Sequence, residues 1–126
     1  MSLKVSPELL EDARSGKVAD DAFLKCMSES LPDAWALVSK LAHEREVQGL
    51  EYVDNRTVLT DDVAGQLLRM MASDAMRSAI ERHFGVRVAF QNCHRVALFR
   101  ATGDAYNRFT STEAQLLNQN PELVNC

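Results

Sequence analysis

The sequence predicts an α+β fold, in which helices fill the first two thirds of the chain and a small antiparallel sheet follows. Outside residues 50–59, apolar residues recur at helical spacing through the first 84 residues, and from 86 to 98 apolar residues fall on the even positions of two strand-like segments. We therefore expect an N-terminal helical layer and a long central helix to pack on a sheet centred on a β-hairpin. The 126 residues have the length of one domain with one core, so residues 1–126 should form a single domain.

Three helices are expected before residue 50. Ser6 suits the N-cap of the first helix, with Pro7 in its first turn, and Gly16 ends it. The second helix begins near Asp20. Pro32 ends that helix and starts the third, because proline is tolerated in a first turn but not in a helix interior. The segment 50–59 has strand propensity around a turn-like centre and predicts a short ribbon or an extended link.

The central helix is predicted over residues 60–84. Its apolar residues come in doublets every four residues, so a helix turning about 100° per residue would let the stripe drift by roughly 40° per repeat. Ser73 is a plausible second N-cap, which favours one long helix with a kink or a short break there. Arg77 and Glu81 are spaced as an i,i+4 ion pair, and Gly85 ends the helix.

The hairpin over residues 86–100 is predicted because the apolar residues of its expected inner face fall on even-numbered positions in both strand-like segments. A three-residue loop, 92–94, pairs Gln91 with Arg95 and makes the apolar face continuous, whereas a two-residue turn mixes the two faces. One long bent strand over the same residues is the alternative. The expected inner face consists of Val86, Val88, Phe90, Val96 and Leu98.

A short C-terminal helix should follow the sheet. Residues 102–104 predict a turn, and the run from Thr110 to Glu113 is a capping box. The helix is expected from about Ser111 until Pro121 ends it.

Composition and charge narrow the functional classes. The chain carries 18 acidic residues against 14 lysines and arginines, and this net charge of −4 disfavours nucleic acid as a partner. The sequence has no apolar run of about 18 residues and no signal-peptide core, so we expect a cytoplasmic protein that does not interact with membranes. The sequence has an odd number of cysteines, and they are widely spaced: Cys26, Cys93 and Cys126. This pattern favours free thiols in a reducing compartment.

Arginines provide one candidate site. No lysine follows residue 40, and Arg87 and Arg95 should share the polar face of the hairpin, with Arg100 at its end and His83 at the end of the preceding helix. Guanidinium groups bind carboxylates and phosphates bidentately, so these four residues predict a pocket for a small anionic ligand. The alternative is that the arginines form ion pairs with the acidic first half of the chain.

Cys93 and His94 provide a second candidate. A thiol beside an imidazole is a possible nucleophile or pair of metal ligands, but adjacent strand residues point to opposite faces and the other histidines and cysteines are scattered. A plain polar turn is the alternative, and we expect no metal elsewhere. The sequence has no phosphate-binding loop, G-x-S-x-G or H-E-x-x-H motif and therefore indicates no cofactor.

The leading functional interpretation is a non-enzymatic interaction or regulatory module that self-associates, most simply as a two-fold dimer. A sheet this small has unpaired edges, and its outer face carries Ala89, Ala97 and Phe99, which are too apolar to be left in water. The competing explanation is that the terminal helix, 111–119, covers this face and leaves a monomer. Binding of an anionic ligand is the second hypothesis, and a thiol or metal site is the third.

Overall fold

The computed structural model describes residues 2–91 and 94–117, and this part of the chain confirms the α+β prediction with helices packed on a three-stranded antiparallel sheet. In chain order the elements are α1 (Pro7–Arg14), α2 (Asp20–Ser30), α3 (Pro32–Gln48), β1 (Tyr52–Asp54), α4 (Asp61–Met71), α5 (Asp74–Phe84), β2 (Val86–Gln91), β3 (Arg95–Arg100), α6 (Ala105–Phe109) and α7 (Thr112–Leu117).

The N-terminal layer is built from α1, α2 and α3, as expected. The Ser6 hydroxyl accepts the N–H of Leu9 and caps α1. The residue before α3 provides no side-chain cap. Instead the Gln66 Oε1 of α4 accepts the N–H groups of Asp33 and Ala34 at 2.8 and 3.2 Å, so tertiary packing supplies the cap that the local sequence lacks.

The central helical segment consists of two helices, α4 and α5, separated at residues 72–73. The short break at Ser73 is therefore confirmed, and a single continuous helix is not formed. The Ser73 hydroxyl accepts the N–H of Met76 at 3.2 Å and starts the second helix. Each helix buries its own set of apolar residues, so the drift of the four-residue repeat is divided between two shorter helices.

The predicted hairpin and its register are confirmed. Strand β2 pairs with β3 in the order Gln91–Arg95, Phe90–Val96 and Val88–Leu98. The alternative of one long bent strand is wrong. Strand β1 pairs with the other side of β3, which gives the order β1-β3-β2 and leaves β2 as an edge strand.

Both faces of the sheet are covered. The inner face packs into the main core with helices α2 to α5, and Val96 and Leu98 are fully buried there. On the outer face, Ala97 and Phe99 are buried beneath Tyr106 and Phe109 of α6. The sequence predicted cover from a terminal helix starting at 111. The helix that lies on this face is α6, which was not predicted, because its five residues are too few to show a helical period.

Among the described residues, we find no helix that combines the length and the apolar content needed to cross a membrane.

Candidate functional site

Arg95 is engaged in an ion pair that joins two strands. It lies on the outer side of β3, where its Nε donates to Oδ2 of Asp54 at 2.8 Å and a terminal nitrogen donates to the same oxygen. The Nε of Arg56 donates to the other carboxylate oxygen at 2.7 Å, and this hydrogen bond raises the pKa of Arg56. The Asp54 side chain is only 5% exposed, and its charge is balanced by two guanidinium groups, that of the largely buried Arg95 and that of the exposed Arg56.

The other members of the predicted anion site lie apart from Arg95. The Arg87 guanidinium stacks on the ring of Tyr106, 3.7 Å from its centroid. Arg100 donates to the carbonyl oxygen of Gly49 at 3.2 Å, at the far end of the hairpin. His83 lies in the last turn of α5, on the inner side of the sheet, with its ring 5.9 Å from that of Trp35. The four residues do not converge on one point, and binding of an anion by them stays a prediction.

The predicted thiol or metal site falls partly outside the described residues, because Cys93 is not among them. His94 is described, and its backbone carbonyl accepts a hydrogen bond from Nδ2 of Asn55 at 2.8 Å. In the part of the chain that the structure describes, no cluster of three histidine, cysteine or acidic side chains is placed to hold a metal ion. A catalytic or metal-binding role of this pair stays a prediction.

The open edge of β2 is the feature that the structure adds to these candidates. The Val96 carbonyl oxygen accepts the N–H of Asn55, and the Arg100 N–H donates to the carbonyl oxygen of Glu51. The even-numbered residues of β3 therefore direct their backbone hydrogen bonds towards β1, and the odd-numbered ones direct theirs towards β2. The register then directs the backbone groups of Val86, Val88 and Phe90 away from the sheet. One of these groups has a partner, since the Val88 N–H donates to Oε2 of Glu81 at 2.9 Å.

A groove of about 370 Å³ runs along this edge, and we call it the β2 edge groove. Helix α5 forms one wall, β2 forms the floor, and α6 with the start of α7 forms the other wall. The lining residues are Asp74, Arg77, Ser78, Glu81, Val88, Ala89, Phe90, Gln91, Tyr106, Phe109, Thr110 and Gln115.

Gln91 gives the groove an unmatched hydrogen-bond donor. The side chain is 8% exposed, and its Oε1 accepts a hydrogen bond from Gln115 at 2.6 Å. Its Nε2 is buried and has no hydrogen-bond partner among residues 2–91 and 94–117. Buried amide nitrogens are normally paired, so this donor indicates a place for an acceptor that enters the groove.

Glu81 and Gln91 were not predicted as site residues. Glu81 was expected to pair with Arg77, but the Arg77 guanidinium instead bonds to Asp74 and to the carbonyl oxygen of Met71, and Glu81 turns towards Val88. One signal was present in the sequence: a glutamate near the C-terminal end of a helix opposes the helix dipole and needs another reason to be there. Nothing in the sequence around Gln91 distinguishes it from an ordinary polar strand residue.

Comparison with known proteins yields a match to a protein-family model. Neither the curated proteins nor the solved structures include a significant match to the chain. The model of the family described as "NucS shadow ORF" matches residues 1–126. That description states no activity, ligand or partner. Since the match covers the whole chain, the protein belongs to the NucS shadow ORF family.

Proposed function

We propose that the protein is a non-enzymatic protein-interaction module, and that its β2 edge groove binds an extended segment of another polypeptide as an added strand. The observation that carries this proposal is the row of outward backbone groups at Val86, Val88 and Phe90, of which Val88 and Phe90 line the groove between the two helical walls. Main-chain hydrogen bonds of this kind provide affinity in strand addition, and the flanking walls provide specificity.

The dimensions of the edge suit a short segment. Residues 86–90 of an extended strand span about 13 Å at roughly 3.3 Å per residue, which a segment of five residues would match. The unpaired Nε2 of Gln91 lies at one end of the row, where a backbone carbonyl of the added segment would satisfy it.

Self-association through the sheet is the form of interaction that the sequence predicts, and we retain it as an outcome of the test. Two features favour a different polypeptide as the partner. The apolar outer face that motivated self-association is buried beneath α6. A two-fold pairing of two β2 strands centred on Val88 would also bring two Glu81 carboxylates together, and like charges at such a centre repel.

The experiment is a titration of the protein with a capped heptapeptide of alternating threonine and valine, monitored by amide hydrogen exchange. We expect the amides of Val86 and Phe90 to become protected. The variant Ser78→Arg, which fills the groove from α5, should abolish the protection. Ser39→Arg is the control, because Ser39 is a half-buried helical serine outside the groove. Equal protection in both variants would place binding elsewhere and contradict the proposal.

Light scattering on the same proteins identifies the partner class. A mass twice the 14.1 kDa of one chain that falls to a single chain in Ser78→Arg would identify a second copy as the donor of the segment. A mass of one chain in all variants agrees with a different polypeptide.

A small anion bound at Arg87 is the second candidate function. Arg87 forms no ion pair with a described residue, and Tyr106 holds its guanidinium in place by stacking. Phosphate and citrate should then raise the melting temperature of the protein at constant ionic strength, and Arg87→Gln should remove that increase.

A further inference from the structure

We infer that the segment bound in the β2 edge groove carries a lysine or arginine opposite Val88, and that Glu81 holds this cation. The inference rests on the proposed function and specifies the chemistry of the partner. It follows from the hydrogen bond that Glu81 makes in the free protein and from what strand addition must do to that bond.

In the free protein, Glu81 occupies the position that a partner strand would take. Its Oε2 accepts the Val88 N–H at 2.9 Å, which satisfies the central donor of the open edge. A charged side chain placed in this way also protects an edge strand from unwanted pairing. Glu81 lies near the C-terminal end of α5, where the helix dipole disfavours a carboxylate, so this contact gives the residue a physical reason to be there.

An added strand must displace this carboxylate. Its backbone carbonyl would take the Val88 N–H, and the Glu81 carboxylate would lose the one hydrogen bond that it makes to the described residues while the side chain stays half-buried in the groove wall. A half-buried carboxylate without a partner is unfavourable, because desolvation penalises the charged form. Binding is therefore strongest when the segment itself supplies the replacement partner.

The geometry of a β-sheet determines where that partner must come from. Residues directly opposite each other on neighbouring strands point their side chains to the same face. The Val88 side chain points to the inner face, which is the side on which α5 lies. The residue opposite Val88 therefore directs its side chain towards α5 and Glu81.

The charges around the groove favour a cation at that position. Among the described residues that line the groove, Arg77 is the one cation, and its guanidinium is already bonded to Asp74 and to the carbonyl oxygen of Met71. Arg82 follows Glu81 in the helix, but its guanidinium is bonded to Asp20 through two nitrogens. Glu81 itself forms no ion pair within the described part of the chain.

The test uses capped heptapeptides in which threonine and valine alternate around a varied central residue: lysine, glutamine or glutamate. Their affinities for the protein are measured by fluorescence anisotropy with a dye at one end. We expect the lysine peptide to bind about fivefold more tightly than the glutamine peptide, as for a partly exposed ion pair, and the glutamate peptide to bind most weakly. Raising the salt concentration to 1 M should reduce the lysine preference.

The variant Glu81→Gln keeps an oxygen that can accept the Val88 N–H but removes the charge. It should bind the glutamine peptide as the wild type does and show no preference for lysine. The matched control is Glu44→Gln, since Glu44 is a half-buried helical glutamate on α3, outside the groove. This variant should retain the full lysine preference.

The outcomes separate this inference from the proposed function. Equal affinity of the wild type for all three peptides, or a lysine preference that persists in Glu81→Gln or at 1 M salt, would overturn the role of Glu81 but leave strand addition intact. Failure of every peptide to bind, with the edge amides unprotected, would overturn the proposed function itself.

Discussion

Replacing Asp54 with alanine should destabilise the protein far more than replacing Arg56, the arginine partner that lies in solvent. Asp54 links β1 to β3, because its carboxylate receives Arg95 on one oxygen and Arg56 on the other. The two partners differ in environment: the Arg95 side chain is 15% exposed, whereas that of Arg56 is 72% exposed. The substitution therefore leaves one guanidinium largely buried and unpaired.

The expected cost follows from these exposures. Removing one partner of a buried ion pair costs about 3–5 kcal/mol, and the remaining exposure of Arg95 allows part of its hydration to be recovered. We expect Asp54→Ala to lower the free energy of unfolding by about 2–4 kcal/mol. Arg56→Gln removes an exposed contact and should cost about 1 kcal/mol or less.

Urea unfolding followed by circular dichroism provides the measurement, with the transition midpoint and its slope fitted for each variant. A double-mutant cycle with Arg95→Gln isolates the coupling between Asp54 and Arg95. If Asp54→Ala and Arg56→Gln cost the same, within about 0.5 kcal/mol, the ion pair does not hold β1 to the sheet. Arg95 would then be available for the ligand role that its position in the sequence suggested.

Three further predictions address the packing of the helices. Gln66→Leu should lower the free energy of unfolding, measured with heat or urea, by about 1–3 kcal/mol, because it leaves two backbone N–H groups at the start of α3 without an acceptor. The control Gln48→Leu, at the exposed C-terminal end of α3, should change it little. Ile80→Ala should cost about 2–4 kcal/mol, since the side chain is fully buried and the substitution leaves a cavity; a loss below about 1 kcal/mol would contradict its place in the core. The hydrogen bond from Arg82 lowers the pKa of Asp20, so their pair stabilises the fold above the unfolded-chain pKa of about 3.9, and this contribution is lost as the pH falls through the lower folded value. Acid unfolding should therefore be less steep in Asp20→Asn, and an unchanged pH profile would show that the pair does not contribute.

Local patterns in the sequence were sufficient to predict most of the elements. The cap at Ser6, the start of α3 at Pro32 and the break at Ser73 depend on hydrogen bonds and steric limits within one helical turn, and each is present in the structure. The hairpin register was predictable for the same kind of reason, because a shift by one residue would move the entire apolar set to the other face.

These local patterns do not predict short elements such as α6, which contain too few residues to show a periodicity. Helix α6 has only five residues. It is stabilised by the packing of Tyr106 and Phe109 over Phe99 on the outer face of the sheet. Its formation depends on a surface made by strands that lie elsewhere in the chain. The sequence could show that this face needed a cover, but it could not show which segment would supply it.

The sequence by itself thus determined the class of the fold, the inner face of the sheet and the apolar character of the outer one. The tertiary structure alone decided which polar groups are paired across the molecule: Asp54 with Arg95, Gln66 with the start of α3, and Glu81 with the open edge of β2. These contacts join residues between 7 and 41 positions apart in the chain. The energy of such a contact depends on burial and direction, which the spacing of residues along the chain does not contain. The β2 edge groove is a product of the same contacts, so the candidate site became visible only when the helices were packed against the sheet.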